Sequence, residues 1–324
     1  MNESIVQLLT RAATLQRAGG GVIACLLVKA RGSTPQSAGA LMLVDDAANT
    51  YGTIGGGCVE AEIRRRAIEL LERHSSALLR FKLDHDYGWD DGLICGGTID
   101  MAIAPLPSAD MLDSVIDDIK RRRATSLEFT AHSENGPARF SLHLPPRDCL
   151  YIAGAGHVGQ ALARLAMRLD FDVTLFDDRD DLLVRFAPEG CISIAGDIAD
   201  NLKNAAFDDR TWAVIVTRGH RHDEQALAAV LNRGAAYVGM IGSRRKVKLI
   251  SDDLVEIGFA AEELQKVHAP IGLGIGAVSV EEIAISIAAE LVQVRRTVFA
   301  SPVTGPDDCA PTLAINLPAG RSGT

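Results

Sequence analysis

The chain has 324 residues, of which 47% are hydrophobic and 23% charged, a balance typical of a folded protein long enough for two domains. Its net charge of -9 argues against a nucleic-acid partner, because a phosphate backbone requires a basic surface. No apolar run approaches the roughly 20 residues that cross a bilayer, and no signal peptide is recognisable. We therefore expect a cytoplasmic protein with at most peripheral membrane contact.

The first predicted domain spans residues 1–108 and is a small α/β domain rich in glycine. Apolar periodicity predicts a helix behind Ser4 and another behind the glycines at 55–57. Short apolar runs between turn residues predict its strands, at 22–30, 41–44, 51–54, 77–83 and 99–103.

The remaining residues are predicted to form a connector, a second domain and a tail. The connector, 109–147, contains one helix and two amphipathic strands. The second domain, 148–299, alternates strands and helices in the order expected for a doubly wound parallel sheet. Residues 300–324 contain several prolines and are expected to form a mobile tail. The predicted fold class is α/β, with a Rossmann-like C-terminal domain beside the smaller N-terminal one.

A GxGxxG motif opens the second domain between a predicted strand and a predicted helix. Gly154 permits the tight turn, Gly156 allows a phosphate to approach the backbone, and Gly159 allows helix and strand to pack closely. His157 lies within the turn and either contacts a phosphate or caps the helix. Asp177 ends the next strand, where a carboxylate can accept hydrogen bonds from a ribose diol. The motif leaves its ligand open: NAD(P) is possible, but so is a phosphate turn that holds no nicotinamide.

Two glycine clusters with cysteines mark the first domain. Gly55, Gly56 and Gly57 join a strand to a helix, so several N–H groups can point at one anion. Cys58 follows at the helix N-terminus, where the helix dipole favours a thiolate. Cys95 precedes two glycines that leave room for a bulky ligand. Either cysteine is a sulfur or metal–sulfur ligand, with Cys95 the metal candidate, or else a small apolar filler.

Other polar residues are candidates for ligand contact. Glu60, in the first turn behind the glycines, orients a ligand proton or interacts with the helix dipole. His220 and His222 follow a strand and can face one ligand, although no third metal ligand is evident. Asp223 is expected to cap the helix behind them.

A short basic cluster follows the last predicted strand. Ser243, Arg244 and Arg245 offer the donors and charge that bind a phosphate, with Lys246 next to them. The alternative is a solvated helix start. None of the six cysteines forms a CxxC pair, so a structural zinc site is not expected.

Four segments together resemble a known family. They are Gly32-Ser33-Thr34-Pro35 through Gly39-Ala40, Gly52 to Gly57 with Glu60, Cys95-Gly96-Gly97, and Gly239 to Lys246 followed by His268 to Leu273, Ile275-Gly276-Ala277 and Glu281 to Ala284. In these segments the chain resembles the XdhC/CoxI family, accessory factors of xanthine dehydrogenase and related molybdenum hydroxylases. It departs from the family pattern at Gln36, where arginine is frequent, and at Gly274, where aspartate is frequent.

The resemblance implies a homodimeric chaperone that binds the molybdenum cofactor, as molybdopterin or its dinucleotide form. It also implies sulfuration of that cofactor with a cysteine desulfurase and delivery to a xanthine dehydrogenase-type molybdenum hydroxylase. We expect the N-terminal glycine cluster to face the metal end of the cofactor and the GxGxxG turn, with the basic cluster, to hold its phosphate end.

Two other functions stay open on the sequence. An NAD-dependent oxidoreductase would use His220 or His222 as its acid or base near neutral pH. A structural adaptor would bridge desulfurase and hydroxylase without touching the cofactor.

Overall fold

The computed structural model describes residues 4–83, 97–298, 302–306, 311 and 313–316, and Cys95 lies outside them. The chain divides into two compact units. Unit 1 comprises Met1–Pro146 and Ser301–Thr324, and unit 2 comprises Arg147–Ala300. Among the described residues, no helix has both the length and the apolar composition needed to cross a membrane.

Unit 1 contains a six-stranded sheet and a three-stranded sheet. Its strands are β1 (Val22–Arg31), β2 (Leu41–Asp45), β3 (Thr50–Gly52), β4 (Ala77–Lys82), β5 (Thr98–Pro105), β6 (Thr125–Ser133), β7 (Gly136–Leu144), β13 (Val303–Thr304) and β14 (Leu313–Asn316). The larger sheet has the order β14-β4-β5-β1-β2-β3, and the smaller has the order β13-β7-β6. The helices of the unit are α1 (Ile5–Arg17), α2 (Gly57–Glu72) and α3 (Ala109–Lys120).

The larger sheet of unit 1 buries both of its faces. Alternating residues of β1 divide between them: Ala24 and Leu26 belong to the core with α1, α3 and the smaller sheet, whereas Cys25 and Leu27 belong to the core with α2. A strand buried on both faces reads as a continuous apolar run, which is why 22–27 lacks polar alternation.

The structure differs from the prediction of a separate connector at 109–147. Leu112 of α3 and Phe129 of β6 lie fully within the core of unit 1. The apolar residues of β6 and β7 recur at every second position, so these strands require a buried surface on one side and obtain it inside the unit.

The described residues of the expected tail include two short strands, which the sequence did not predict. β13 pairs antiparallel with β7, and β14 pairs parallel with β4. Prolines prevent helix formation there, but they are compatible with short strands at a sheet edge.

Unit 2 is a Rossmann domain, as the sequence predicts. Its parallel strands are β8 (Cys149–Ala153), β9 (Asp172–Asp177), β10 (Ile192–Ala195), β11 (Thr211–Ile215) and β12 (Tyr237–Met240), in the order β10-β9-β8-β11-β12. Its helices are α4 (His157–Arg168), α5 (Asp180–Phe186), α6 (Ile198–Asn204), α7 (His220–Val230), α8 (Arg244–Glu256), α9 (Ala261–Leu264) and α10 (Val280–Val298). The strand order reverses between β8 and β11, and ligands of such sheets bind at the carboxyl ends of these strands.

A buried ion cluster lies below the opposite edge of this sheet, where β8 and β11 begin. Asp148 is only 4% exposed, and its Oδ1 lies 2.9 Å from Nε of Arg210. Its Oδ2 lies 3.7 Å from Nη1 of Arg295. Burial raises the pKa of Asp148 because desolvation outweighs the attraction of the two guanidinium groups.

This cluster gives a stability prediction. Arg210→Met removes the nearer of the two guanidinium groups that pair with Asp148, and breaking a buried pair typically costs about 3 to 5 kcal/mol. We expect a loss of that order in the free energy of unfolding, measured by urea titration with the fluorescence of the buried Trp212. Lys203→Met is the control, because its pair with Asp200 is largely exposed and worth at most about 1 kcal/mol. Equal losses in the two variants would contradict a structural role for the cluster.

Candidate functional site

The three glycines that join β3 to α2 form a turn whose positive φ values favour glycine at each position. Gly55, Gly56 and Gly57 have φ values of 117°, 77° and 71°. A Cβ on Gly55 would lie 2.5 Å from Cβ of Pro35, whereas a Cβ on Gly56 would meet nothing within 4 Å. The turn therefore packs on the 31–39 loop through Gly55 and leaves the backbone of Gly56 open.

Glu60 fills the concave side of this turn. Its Oε2 accepts hydrogen bonds from Oγ1 of Thr53 at 2.8 Å and from the N–H groups of Ile54 and Gly56 at 3.1 and 3.0 Å. The sequence interpretations were a ligand proton or the helix dipole, whereas these hydrogen bonds give Glu60 a different role, the stabilisation of the turn. A ligand phosphate would have to displace Glu60 to reach these amides.

Cys58 and Cys95 each lie next to glycines in the sequence, and the 31–39 loop lies beside the glycine turn. Cys58 is exposed at the second position of α2, next to the open side of the glycine turn. Cys95 lies outside the described residues, but Gly97, two positions later, packs on the loop: a Cβ there would lie 2.3 Å from the carbonyl oxygen of Ser33. The 31–39 loop therefore contacts both glycine clusters of unit 1.

In unit 2, the three glycines of the GxGxxG turn have separate roles. A Cβ on Gly154 would lie 2.6 Å from the carbonyl oxygen of Val216, and one on Gly159 would lie 1.9 Å from that of Gly154. Gly156 has nothing within 4 Å of its Cβ position. His157 is exposed at the start of α4, and no side chain caps this helix. Gly156 is thus the open approach to the free N–H groups of α4.

Asp177 lies beneath this turn with both carboxylate oxygens engaged. Its Oδ2 accepts the N–H of Ala155 at 2.6 Å, and Arg179 donates to Oδ1 and Oδ2 at 2.8 and 2.9 Å. Burial by itself would raise the pKa of Asp177, but the hydrogen bonds from Arg179 and Ala155 outweigh it and hold the pKa below its ordinary value. A ribose diol would have to compete with Arg179 for this carboxylate.

At the carboxyl end of β11, Asp223 is fully buried and, contrary to the sequence prediction, does not cap α7. Gly219 is the N-cap residue of that helix and provides no side-chain cap. Asp223 accepts hydrogen bonds from the backbone N–H and Oγ1 of Thr217 and forms an ion pair with Lys246. An unpaired carboxylate would be costly at this depth, so Lys246 neutralises it.

The ion pair with Asp223 engages Lys246 but not the two arginines of the basic cluster at the start of α8. Ser243 is the N-cap residue of α8, and its Oγ accepts the N–H of Lys246 at 3.3 Å. Arg244 and Arg245 are exposed, and neither forms an ion pair with a carboxylate among the described residues. Two guanidinium groups are therefore available to an anionic ligand.

Near His220 the structure brings together two carboxylates that the sequence did not indicate as candidate metal ligands. His220, Glu224 and Asp253 each place a ligand atom within 4.8 Å of the other two. Glu224 is four residues after His220 on α7, a spacing that puts both on one helix face, whereas Asp253 comes from α8. Nitrogen and carboxylate ligands of this kind suit a divalent cation. His222 is not part of the group.

Glu290 of α10 is a further residue that sequence reasoning missed. Its carboxylate accepts hydrogen bonds from the N–H of Gly272 and from the hydroxyl of Tyr237 at 3.2 Å, and it lies 2.7 Å from Nδ1 of His268. The 268–272 segment runs beside β12, to which His268 is bridged through Gly239. Glu290 therefore holds the backbone of this segment in place. The sequence did not indicate this contact because Glu290 lies 22 residues after His268.

Comparison with known proteins agrees with this architecture. The XdhC Rossmann domain model matches residues 150–291, and the XdhC and CoxI family model matches residues 15–82. A crystal structure described as a xanthine dehydrogenase from Bacillus halodurans has the same fold, with a TM-score of 0.76, 22% identity and coverage of 92% of this chain and 97% of that one.

Curated relatives align along most of the chain. YqeB of Escherichia coli (strain K12) is 29% identical over 90% of this chain, which spans only 46% of YqeB. A probable xanthine dehydrogenase subunit of Bacillus subtilis (strain 168) is 26% identical, over 84% of this chain and 92% of the relative. The molybdenum cofactor insertion chaperone PaoD of Escherichia coli (strain K12) is 25% identical, over 86% of this chain and 84% of PaoD. On these matches and on its two domains, the chain belongs to the XdhC and CoxI family.

Proposed function

We propose that this protein binds the molybdenum cofactor as cargo, supports its sulfuration by a cysteine desulfurase, and delivers it to a xanthine dehydrogenase-type molybdenum hydroxylase. The observation that most supports this function is the similarity to the insertion chaperone PaoD, which extends over 86% of the chain. The proposal includes a homodimer acting in the cytoplasm, without catalytic residues of its own.

In unit 2, the open positions suit the phosphate end of such a cargo. Gly156 admits a phosphate to the N-terminus of α4, and neither Arg244 nor Arg245 is held in an ion pair by the described residues. Helix N-termini and arginine forks are the two protein features that bind phosphate most effectively.

In unit 1, the glycine turn suits a different part of the cargo. Glu60 already supplies a carboxylate to its amides, so a second anion there would meet like charge. The open backbone of Gly56 and the exposed thiol of Cys58 instead suit the metal–sulfur end, and we propose that Cys95 contributes there as well, in line with the expectation from the sequence.

The alternative of an NAD-dependent oxidoreductase receives less support from the site. The carboxylate of Asp177, the residue expected to bind the ribose diol, is engaged by Arg179 and by Ala155. We expect no turnover with NADH.

The first test is the composition of the purified protein. Protein isolated from cells that synthesise the cofactor is expected to contain molybdenum and pterin in stoichiometric amounts, measured by elemental analysis and pterin fluorescence. The same expression in cells that lack the cofactor pathway is the control. If the purified protein contained neither molybdenum nor pterin and transferred hydride from NADH, the chaperone function would be wrong and the oxidoreductase function would take its place.

The second test concerns the thiol of unit 1. Cys95→Ala is expected to abolish most of the sulfuration of the target hydroxylase, because the metal–sulfur end of the cargo loses its thiol ligand. Activity of the hydroxylase after transfer from the loaded protein measures the effect. Cys191→Ala is the matched control, since burial raises the pKa of that thiol to about 11 and keeps it protonated. Sulfuration that persists in Cys95→Ala would remove this residue from the site.

The third test concerns the phosphate end. The backbone of Gly156 has φ -67°, which alanine adopts freely, so Gly156→Ala should change the free energy of unfolding by no more than about 1 kcal/mol. The new Cβ projects into the open approach and should weaken retention of the cofactor, measured as molybdenum content after dialysis. Gly274→Ala is the control, because its Cβ also meets nothing within 4 Å. Retention equal to that of the unmodified protein would show that no phosphate approaches Gly156.

A further inference from the structure

Strand β1 changes the direction of its side chains partway along its length. Up to Leu27, odd-numbered residues face α2 and even-numbered residues face the core with α1 and α3. Leu27 pairs with Met101, but Lys29 pairs with Asp100, so two steps on β1 match one step on β5. Such a bulge inserts one extra residue, here Val28, and re-aims the side chains that follow it.

The bulge places the cationic side chains of Lys29 and Arg31 on the face of the sheet opposite to the one that regular alternation would give them. After the bulge, Ala30 packs on the α2 side. Lys29 and Arg31 therefore point to the other side of the sheet, which Asp100 and Leu78 share. Without the bulge, both cations would point towards the core beneath α2.

A cavity of about 370 Å³ lies on this face of unit 1. Lys29, Arg31 and Asp100 provide its polar lining, and Val28, Phe140 and Val303 contribute its apolar lining. This volume falls in the range of small-molecule sites, roughly 300 to 1,000 Å³. It can accommodate an organic molecule and not only an inorganic ion.

The chain segment after α10 closes one side of the cavity. The carbonyl oxygen of Pro302 accepts the N–H of His143 at 2.7 Å, and β13 then pairs with β7. A Cβ on Gly305 would lie 2.3 Å from Cδ1 of Phe140, so this segment lies directly against the cavity wall. A larger residue at 305 would therefore have to displace the ring of Phe140.

The charge balance of the cavity is positive although the protein is acidic overall. Arg80 donates to Oδ1 and Oδ2 of Asp100 at 2.6 and 2.8 Å and so neutralises the carboxylate found among the described lining residues. Within the described part of the chain, neither Lys29 nor Arg31 forms an ion pair with a carboxylate. The cavity therefore keeps two positive charges, although the net charge of the whole chain is -9.

We propose that this cavity binds a small phosphate ester, with its phosphate between Lys29 and Arg31 and its organic body against Val28, Phe140 and Val303. Two cations match the double charge of a phosphate monoester, and the arginine fork matches its oxygens. The apolar wall favours a ligand with a flat or hydrophobic body over inorganic phosphate. This binding goes beyond the cargo function and does not require it.

Isothermal titration with guanosine 5′-monophosphate tests the proposal, because this probe joins a flat ring system to one phosphate. We expect the unmodified protein to bind it and to bind guanosine, which lacks the phosphate, at least about tenfold more weakly. Lys29→Gln and Arg31→Gln should each weaken nucleotide binding by roughly tenfold, since each removes one charged contact. Lys120→Gln, an exposed lysine of α3 with the same change in charge, should bind like the unmodified protein.

Three results would overturn the proposal: no binding of the nucleotide, equal binding of guanosine, or unchanged binding in both Lys29→Gln and Arg31→Gln. A signal lost in Gly156→Ala but retained in the two cation variants would assign the nucleotide to the Rossmann turn and equally overturn it. Thermal unfolding of each variant verifies that it is folded.

The molybdenum content of the same variants distinguishes two sources of the phosphate. Loss of both nucleotide and molybdenum in Lys29→Gln identifies the phosphate as that of the molybdenum cofactor. Loss of nucleotide alone identifies a separate phosphate ester. The titration uses no molybdenum cofactor. Its result therefore tests the nucleotide site even if the protein proves not to carry that cofactor.

Discussion

Carboxylates that accept hydrogen bonds from turn amides hold the candidate sites of this protein in place. Glu60 accepts from Ile54 and Gly56, Asp177 accepts from Ala155, and Asp223 accepts from Thr217. Glu290 accepts from Gly272 in the same way. Backbone donors left unsatisfied in partly buried turns would cost free energy, and these acids remove that cost. Each turn is therefore stabilised by a carboxylate of the chain itself.

This arrangement limits where an anionic ligand can bind. A turn whose amides already contact a carboxylate presents negative charge to an incoming phosphate, so the glycine turn of unit 1 is poorly suited to one. The N-terminus of α4 has no such side chain, and Gly156 leaves it accessible. Turns that are already held by hydrogen bonds, with one open glycine, suit the proposed binding of a cargo, because little ordering free energy is needed on binding.

The β-bulge in β1 has a comparable effect through sheet geometry. One extra residue moves Lys29 and Arg31 to the face that carries Asp100, where Arg80 neutralises the acid. The cations then line a cavity and do not lie beneath α2, where burial without partners would be unfavourable. The smaller sheet and the segment at 302–306 complete the cavity, so both sheets of unit 1 contribute to it.

The sequence alone determined the local features. Gly154, Gly156 and Gly159 could be assigned to distinct roles because their spacing, with a strand before and a helix behind, fixes a turn of few residues. The family was evident for the same reason, since its motifs are short and contiguous.

Contacts between distant residues were decided only by the tertiary structure. Glu290 lies 22 residues from His268, Asp253 lies on a different helix from His220, and β13 pairs with β7 across more than 150 residues. Hydrophobic periodicity shows that a face is buried but not which partner buries it, so the 109–147 segment could be predicted as strands and a helix but not as part of the core of unit 1.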